Sequence, residues 1–168
     1  MMAIAATSNE PAAGSVLPSG VRVIDLVVGE GPQPAKGAGV WLDYKVYAQP
    51  WDSGKPVADW TYLDGRPYAY TLGSPTDRIP RMIDEGVVGM REGGWRRLIV
   101  PDAYGDDGLR KRNPLRGGAS YTPPKAGFVV KPHAFAWVEL IMVDGGSGRC
   151  IERLPEPGRL TGLCVGAK

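Results

Sequence analysis

The chain of 168 residues is long enough for one domain with a real core and too short for two. Apolar residues at 43% and charged residues at 23% exclude a disordered chain. A net charge of +2 with no interleaving of basic and aromatic residues excludes a nucleic-acid binder, and no apolar run reaches the ~18 residues of a membrane-spanning helix. The expectation is a soluble protein, peripheral to a membrane at most. Twenty-four glycines and sixteen prolines, spread in turn-like clusters, favour many short strands over long helices.

Residues 1–17 are small, polar and proline-containing, and read as an extended arm. Nothing in MMAIAATSNEPAAGS resembles an intact secretory signal, although its alanines also suit an end left by processing. From Val21 to Val27 the residues alternate and then break at Gly29-Glu30-Gly31, a strand ending in a turn. A second strand follows in Val40–Tyr47, with Val40, Leu42, Tyr44 and Val46 on one face, so Tyr44 points inward.

Pro50, Asp52 and Gly54 mark a loop, after which Val57–Trp60 and Tyr68–Leu72 read as two short strands. Thr76 or Asp77 is then placed to cap a helix with Pro80 in its first turn. The chain is organised around Asp84–Gly105, DEGVVGMREGGWRRLIVPDAYG. Its first half reads as that short buried helix, Arg91–Gly94 as a tight reversal, and the rest as a strand.

Asp106 to Gly127 is a long loop carrying the basic run Arg110, Lys111 and Arg112, with Arg116 beyond it. That run is either a solvated tip or a docking surface for an acidic partner or anionic lipid. The last strand is Ala134 to Val143, with Ala136, Val138 and Leu140 on one face. Residues 144–168 are a glycine- and proline-punctuated tail holding both cysteines, Cys150 and Cys164. They are either two free thiols or a bridge whose loop closure contributes about 3 kcal/mol and implies an oxidising compartment. The expected architecture is α+β: five or six antiparallel strands wrapped around one short helix in a domain of residues 18–143, with extended N- and C-terminal tails.

No triad, metal cluster or phosphate loop is visible, and His133 is the only histidine, read as a structural corner. No cofactor is expected. Four pieces in order, GVRVIDLVVGEGPQPAKGAGVWLDYKVY, RPYAYTLG, DEGVVGMREGGWRRLIVPDAYG and KPHAFAWVEL, resemble the FKBP-type peptidyl-prolyl cis-trans isomerases. The wording GGWRRLIVP and the glycine-rich loop after it look most like the thylakoid-lumen branch of plastids. That branch would suit a processed N-terminus and a tail disulfide.

The resemblance implies isomerisation of X-Pro bonds in protein clients, at a pocket formed by Tyr44, Asp59, Tyr68, Ile79, Tyr104, Val129 and Val130. The Ile79 backbone N–H and the Tyr104 hydroxyl would hold the substrate carbonyl. Tyr44 and Tyr68 read equally as core aromatics, and Asp59 as a turn carboxylate. The family's floor tryptophan falls on Ile83 or Met82, its phenylalanine before the aspartate on Ala58, and that of the last strand on Ala136 or, after a register shift, Phe135. Each lost aromatic removes about 1.5–3 kcal/mol of burial, so weakened activity is expected. The alternative is a catalytically reduced binding or structural subunit, docked by its tails and basic loop in a membrane-associated photosynthetic complex of the thylakoid lumen. Trp41 and Trp137, pointing outward by alternation, would suit such an interface.

Overall fold

The computed structural model describes residues 14–55, 57–61, 65–110, 128–148 and 150. The basic residues Lys111, Arg112 and Arg116, the arm before residue 14 and Cys164 with its surrounding tail lie outside the described residues.

Seven strands form one sheet: β1 (Ser15–Val16), β2 (Arg22–Val27), β3 (Gly39–Tyr47), β4 (Asp59–Trp60), β5 (Tyr68–Thr71), β6 (Trp95–Val100) and β9 (Ala136–Asp144). Their order is β1-β2-β6-β9-β3-β4, every pair antiparallel, and β5 shares the β3 edge with β4, pairing with the other end of that strand. Two further short strands, β7 (Leu109–Arg110) and β8 (Phe128–Val130), form a separate ribbon. The single α-helix among the described residues is α1 (Arg81–Val87). The expected α+β arrangement stands, with two-residue strands raising the count beyond five or six.

Alternation explains the two central strands. Val40, Leu42, Tyr44 and Val46 of β3 are buried, as are Ala136, Val138, Leu140 and Met142 of β9. The register sets Leu140 opposite Tyr44 and Val138 opposite Val46, so both strands bury the same face, where Ile83 and Val87 of α1 join the core. Trp41 and Trp137 lie on the other face and are half-buried.

The helix begins later than a Thr76 or Asp77 cap requires. Pro80, with φ −69° and ψ 170°, is the residue before the first turn and supplies no side-chain cap. Its extended ψ stops a helix from running through it toward Thr76. At the other end Arg96 closes the helix. Its Nη1 donates to the carbonyls of Gly86 (2.9 Å) and Val88 (3.1 Å), while Nε and Nη2 grip Asp25 at 2.7 and 3.1 Å. A cation at a helix C-terminus satisfies its orphan carbonyls and the local dipole together.

The reversal at Arg91–Gly94 is tied to its surroundings through Glu92. The Glu92 N–H donates to Pro32 C=O at 2.9 Å, and its buried Oε1 accepts from the N–H groups of Gly145 (2.9 Å) and Ser147 (3.3 Å). A Cβ on Gly29 would lie 2.1 Å from the Glu92 carbonyl oxygen, so this crossing requires glycine there.

Candidate active site

Four elements converge on one cluster. Strand β3 brings Tyr44, β4 brings Asp59, β5 brings Tyr68, and the loop between β5 and α1 brings Thr76, Arg78 and Ile79. Asp59 is 2% exposed, and its Oδ2 accepts the Tyr44 hydroxyl at 2.8 Å. The Trp60 N–H reaches Oδ1 at 2.9 Å. Arg78 closes the other side in a bidentate pair, Nε to Oδ2 at 3.1 Å and Nη2 to Oδ1 at 3.0 Å. Asp59 is therefore not a turn carboxylate but the hub of the cluster, and a buried carboxylate is tolerated because it is paired and hydrogen-bonded.

The rings pack around that hub. Tyr44 and Tyr68 meet edge to face with centroids 6.1 Å apart, and Tyr68 stacks on Tyr70 at 6.2 Å. The Arg78 guanidinium carbon sits 5.1 Å from the Tyr44 ring centroid and 5.0 Å from that of Tyr68, a doubly cation–π position. Burial, reinforced by the Asp59 charge and partly opposed by Arg78, pushes the Tyr44 phenol well above its ordinary value, so it stays protonated and donates to Asp59. Tyr104 faces the same cluster and adds to that upward push. It is 7% exposed and lies in the turn between β6 and a short 3-10 segment at Gly105–Asp107.

Ile79 is buried beside the cluster, but its N–H donates to Thr76 Oγ1 at 3.0 Å rather than standing open toward a substrate. Ile83, fully buried on α1, and Val130, fully buried on β8, belong to the same apolar core, and Val129 packs against its margin. Met82 is only partly buried. Ala136 is buried while Phe135 is half exposed and stacks on Trp137 at 6.0 Å, so strand parity holds and no register shift brings a phenylalanine inward. Ala58 is half-buried at the core margin.

Sequence reasoning missed Arg78 and the role of Thr76. An arginine just before Ile79-Pro80 reads as a solvated loop charge. The available signal was the buried aspartate nineteen positions earlier, which requires a cation near it. An open groove of about 370 Å³ lies elsewhere, between Trp41, Thr71, Asp144 and Gly146. Its glycine-rich lining offers little to a prolyl ring, whereas the aromatic cluster gathers converging polar groups at apolar walls. Among the described residues no group of histidine, cysteine, aspartate and glutamate is arranged to hold a metal ion.

Comparison with known proteins identifies the family. The sequence model of the FKBP-type peptidyl-prolyl cis-trans isomerase family matches residues 31–130. The chain is 35% identical over 118 residues to the chloroplastic peptidyl-prolyl cis-trans isomerase FKBP13 of Arabidopsis thaliana, covering 66% of this chain and 52% of that protein. Arabidopsis FKBP16-4, also chloroplastic, is 32% identical over 115 residues, covering 60% of this chain and 45% of that protein. The chain thus spans about half the length of these curated relatives. The crystal structure of Arabidopsis FKBP13 superposes with TM-score 0.56 at 26% identity, covering 79% of this chain and 98% of that one. FkpA from Escherichia coli shares the fold at TM-score 0.55 and 18% identity, covering 82% of this chain and 54% of that one. With matched sequence and matched fold, the chain belongs to the FKBP-type peptidyl-prolyl cis-trans isomerase family.

Proposed function

We propose that the protein catalyses cis-trans isomerisation of X-Pro bonds in protein clients, with attenuated activity. The observation that carries this reading is the Tyr44–Asp59–Tyr68 cluster, buried at Tyr44 and Asp59, with Tyr104 beside it, in a chain of this family. The barrier to rotation, about 18–20 kcal/mol, comes from amide resonance, so no nucleophile is required. An apolar wall disfavours the charge-separated planar amide, and donors fixed by the fold favour the twisted form, so catalysis is differential binding of that form.

Attenuation rests on two features. Small residues, Ala58 and Ala136, stand where the family resemblance implies large aromatics, and Ile83 stands in place of a tryptophan. Arg78 also lies over the faces of Tyr44 and Tyr68, where a prolyl ring would otherwise stack. Exchange NMR on an X-Pro peptide tests the reading. Cross-peaks between cis and trans signals should appear at substoichiometric protein, and their absence at equimolar protein would refute it.

The second reading, a binding or structural subunit of a thylakoid-lumen photosynthetic complex, is favoured by one observation. Val27, Trp95 and Ile141 are consecutive cross-strand partners on β2, β6 and β9, and are 46%, 38% and 41% exposed. An apolar stripe across three strands suits a protein contact. The chloroplastic names of the relatives support a plastid location. The finer assignment to the thylakoid lumen rests on the GGWRRLIVP wording and the glycine-rich loop after it, which resemble that branch. Purification from native membranes separates the two readings: one stoichiometric complex favours the subunit, scattered clients the enzyme.

A further inference from the structure

The hydroxyl of Thr76 has one proton and two lone pairs. Two backbone N–H groups point at its oxygen, that of Arg78 at 3.2 Å and that of Ile79 at 3.0 Å, and these take the lone pairs. The third neighbour is Tyr68 Oη at 2.9 Å. Only the proton of Thr76 is left to make that bond, so Thr76 donates and Tyr68 Oη accepts. The phenolic proton of Tyr68 is then turned away from Thr76. The Thr76 N–H donates to the Ile79 carbonyl at 2.9 Å, closing the loop on itself.

Two donors that could meet a peptide carbonyl therefore lie within about 6 Å of each other, because both touch the same oxygen. One, the Ile79 N–H, is already engaged. The other, the Tyr68 hydroxyl, is carried by a half-buried ring that Tyr44, Tyr70 and Arg78 hold in place.

We propose that Tyr68 is a further substrate-positioning residue in this pocket: its hydroxyl donates to the carbonyl beside the prolyl ring. Thr76 assigns it that role by occupying the Ile79 N–H. The proposal rests on the isomerase reading above and names the donor that takes the place of the engaged Ile79 N–H, beside the Tyr104 hydroxyl.

The test uses the full chain, with Tyr68→Phe, Thr76→Val and the double variant. Amide hydrogen exchange, read without substrate, should show the Ile79 amide protected in the wild type and in Tyr68→Phe, and exchanging about tenfold faster in Thr76→Val. On a chromogenic Ala-Leu-Pro-Phe peptide, Tyr68→Phe should lower kcat/KM about tenfold. In the Thr76→Val background, where the Ile79 N–H is released to serve, the same change should cost less than about twofold. An equal loss in both backgrounds indicates a merely structural ring and overturns the proposal, as does an unprotected Ile79 amide in the wild type. An active wild type whose kcat/KM is unchanged by Tyr68→Phe overturns this assignment alone. A wild type that neither turns over nor binds the peptide overturns the isomerase reading and the donor assignment together.

Discussion

Arg78 meets Asp59 side-on, with Nε 3.1 Å from Oδ2 and Nη2 3.0 Å from Oδ1, and this pair sits over the rings of Tyr44 and Tyr68. The Asp59 side chain is 2% exposed and that of Arg78 14%, so water screens neither well. Removing one partner leaves the other charge buried, at a cost of about 3–5 kcal/mol, whereas neutralising both costs far less. Asp59→Asn and Arg78→Leu are each expected to destabilise by about 3 kcal/mol and the double variant by about 1 kcal/mol. Urea unfolding of the four proteins measures this coupling, and strictly additive losses would contradict it.

Gly86 lies inside α1, where alanine would ordinarily stabilise a helix by about 0.5–1 kcal/mol. Here an added Cβ would fall 2.4 Å from Leu98 Cδ1 and 2.7 Å from Cδ2. Leu98 is fully buried on β6 and cannot swing into solvent. Gly86→Ala is therefore expected to destabilise by about 1–3 kcal/mol, with part of the loss recovered by Leu98→Val. A rise in Tm for the single variant would show that the helix sits further from the sheet.

Tyr70 donates its hydroxyl to Asp84 Oδ1 at 2.7 Å, and the Gly73 N–H reaches the same oxygen at 3.0 Å. Burial, with the Asp84 hydrogen bond second, raises the Tyr70 phenol far above its ordinary value. The bond docks the first turn of α1 onto the end of β5. Tyr70→Phe should cost about 1.5–3 kcal/mol, the range for hydrogen bonds to charged groups, in thermal or chemical unfolding. A loss below about 0.5 kcal/mol would mean that Asp84 finds another donor.

His133 stands between two carboxylates, Nδ1 2.9 Å from Asp102 Oδ1 and Nε2 2.7 Å from Asp106 Oδ1. Only the imidazolium can donate from both nitrogens. Its pKa is raised above the ordinary 6.5, first by the Asp102 hydrogen bond and then by that of Asp106. A group with a raised folded pKa contributes fully below its unfolded value and loses that contribution as pH rises through the folded one. The Tm gap between wild type and His133→Asn, asparagine being tolerant of the φ of 60° here, should be widest below about pH 6.5 and shrink as pH rises above it. A gap that grows with pH would contradict it.

Much of this was legible from local rules. Alternation in β3 turned Tyr44 inward, and parity in β9 chose Ala136 over Phe135, because the side-chain period of a strand leaves no freedom once one face is buried. The two-residue strands β1 and β7 were not legible, since two residues carry no period, whereas β4 lies inside the strand read at Val57–Trp60. Arg78 was missed because its partner Asp59 is nineteen residues away and only the sheet brings them together. Thr76 was misread as a cap, since the rule that gives a hydroxyl to a helix N-terminus does not say that Pro80 will start the helix later.

The most direct measurement is a protease-coupled isomerisation assay on a short X-Pro peptide, with wild type run beside an Asp59→Ala, Tyr104→Phe double variant. Wild type should exceed the uncatalysed rate, and the variant should fall back to it although circular dichroism reports an intact sheet. A wild-type rate no faster than background would contradict the isomerase assignment and leave the Val27–Trp95–Ile141 face as the surface that explains why the fold is kept.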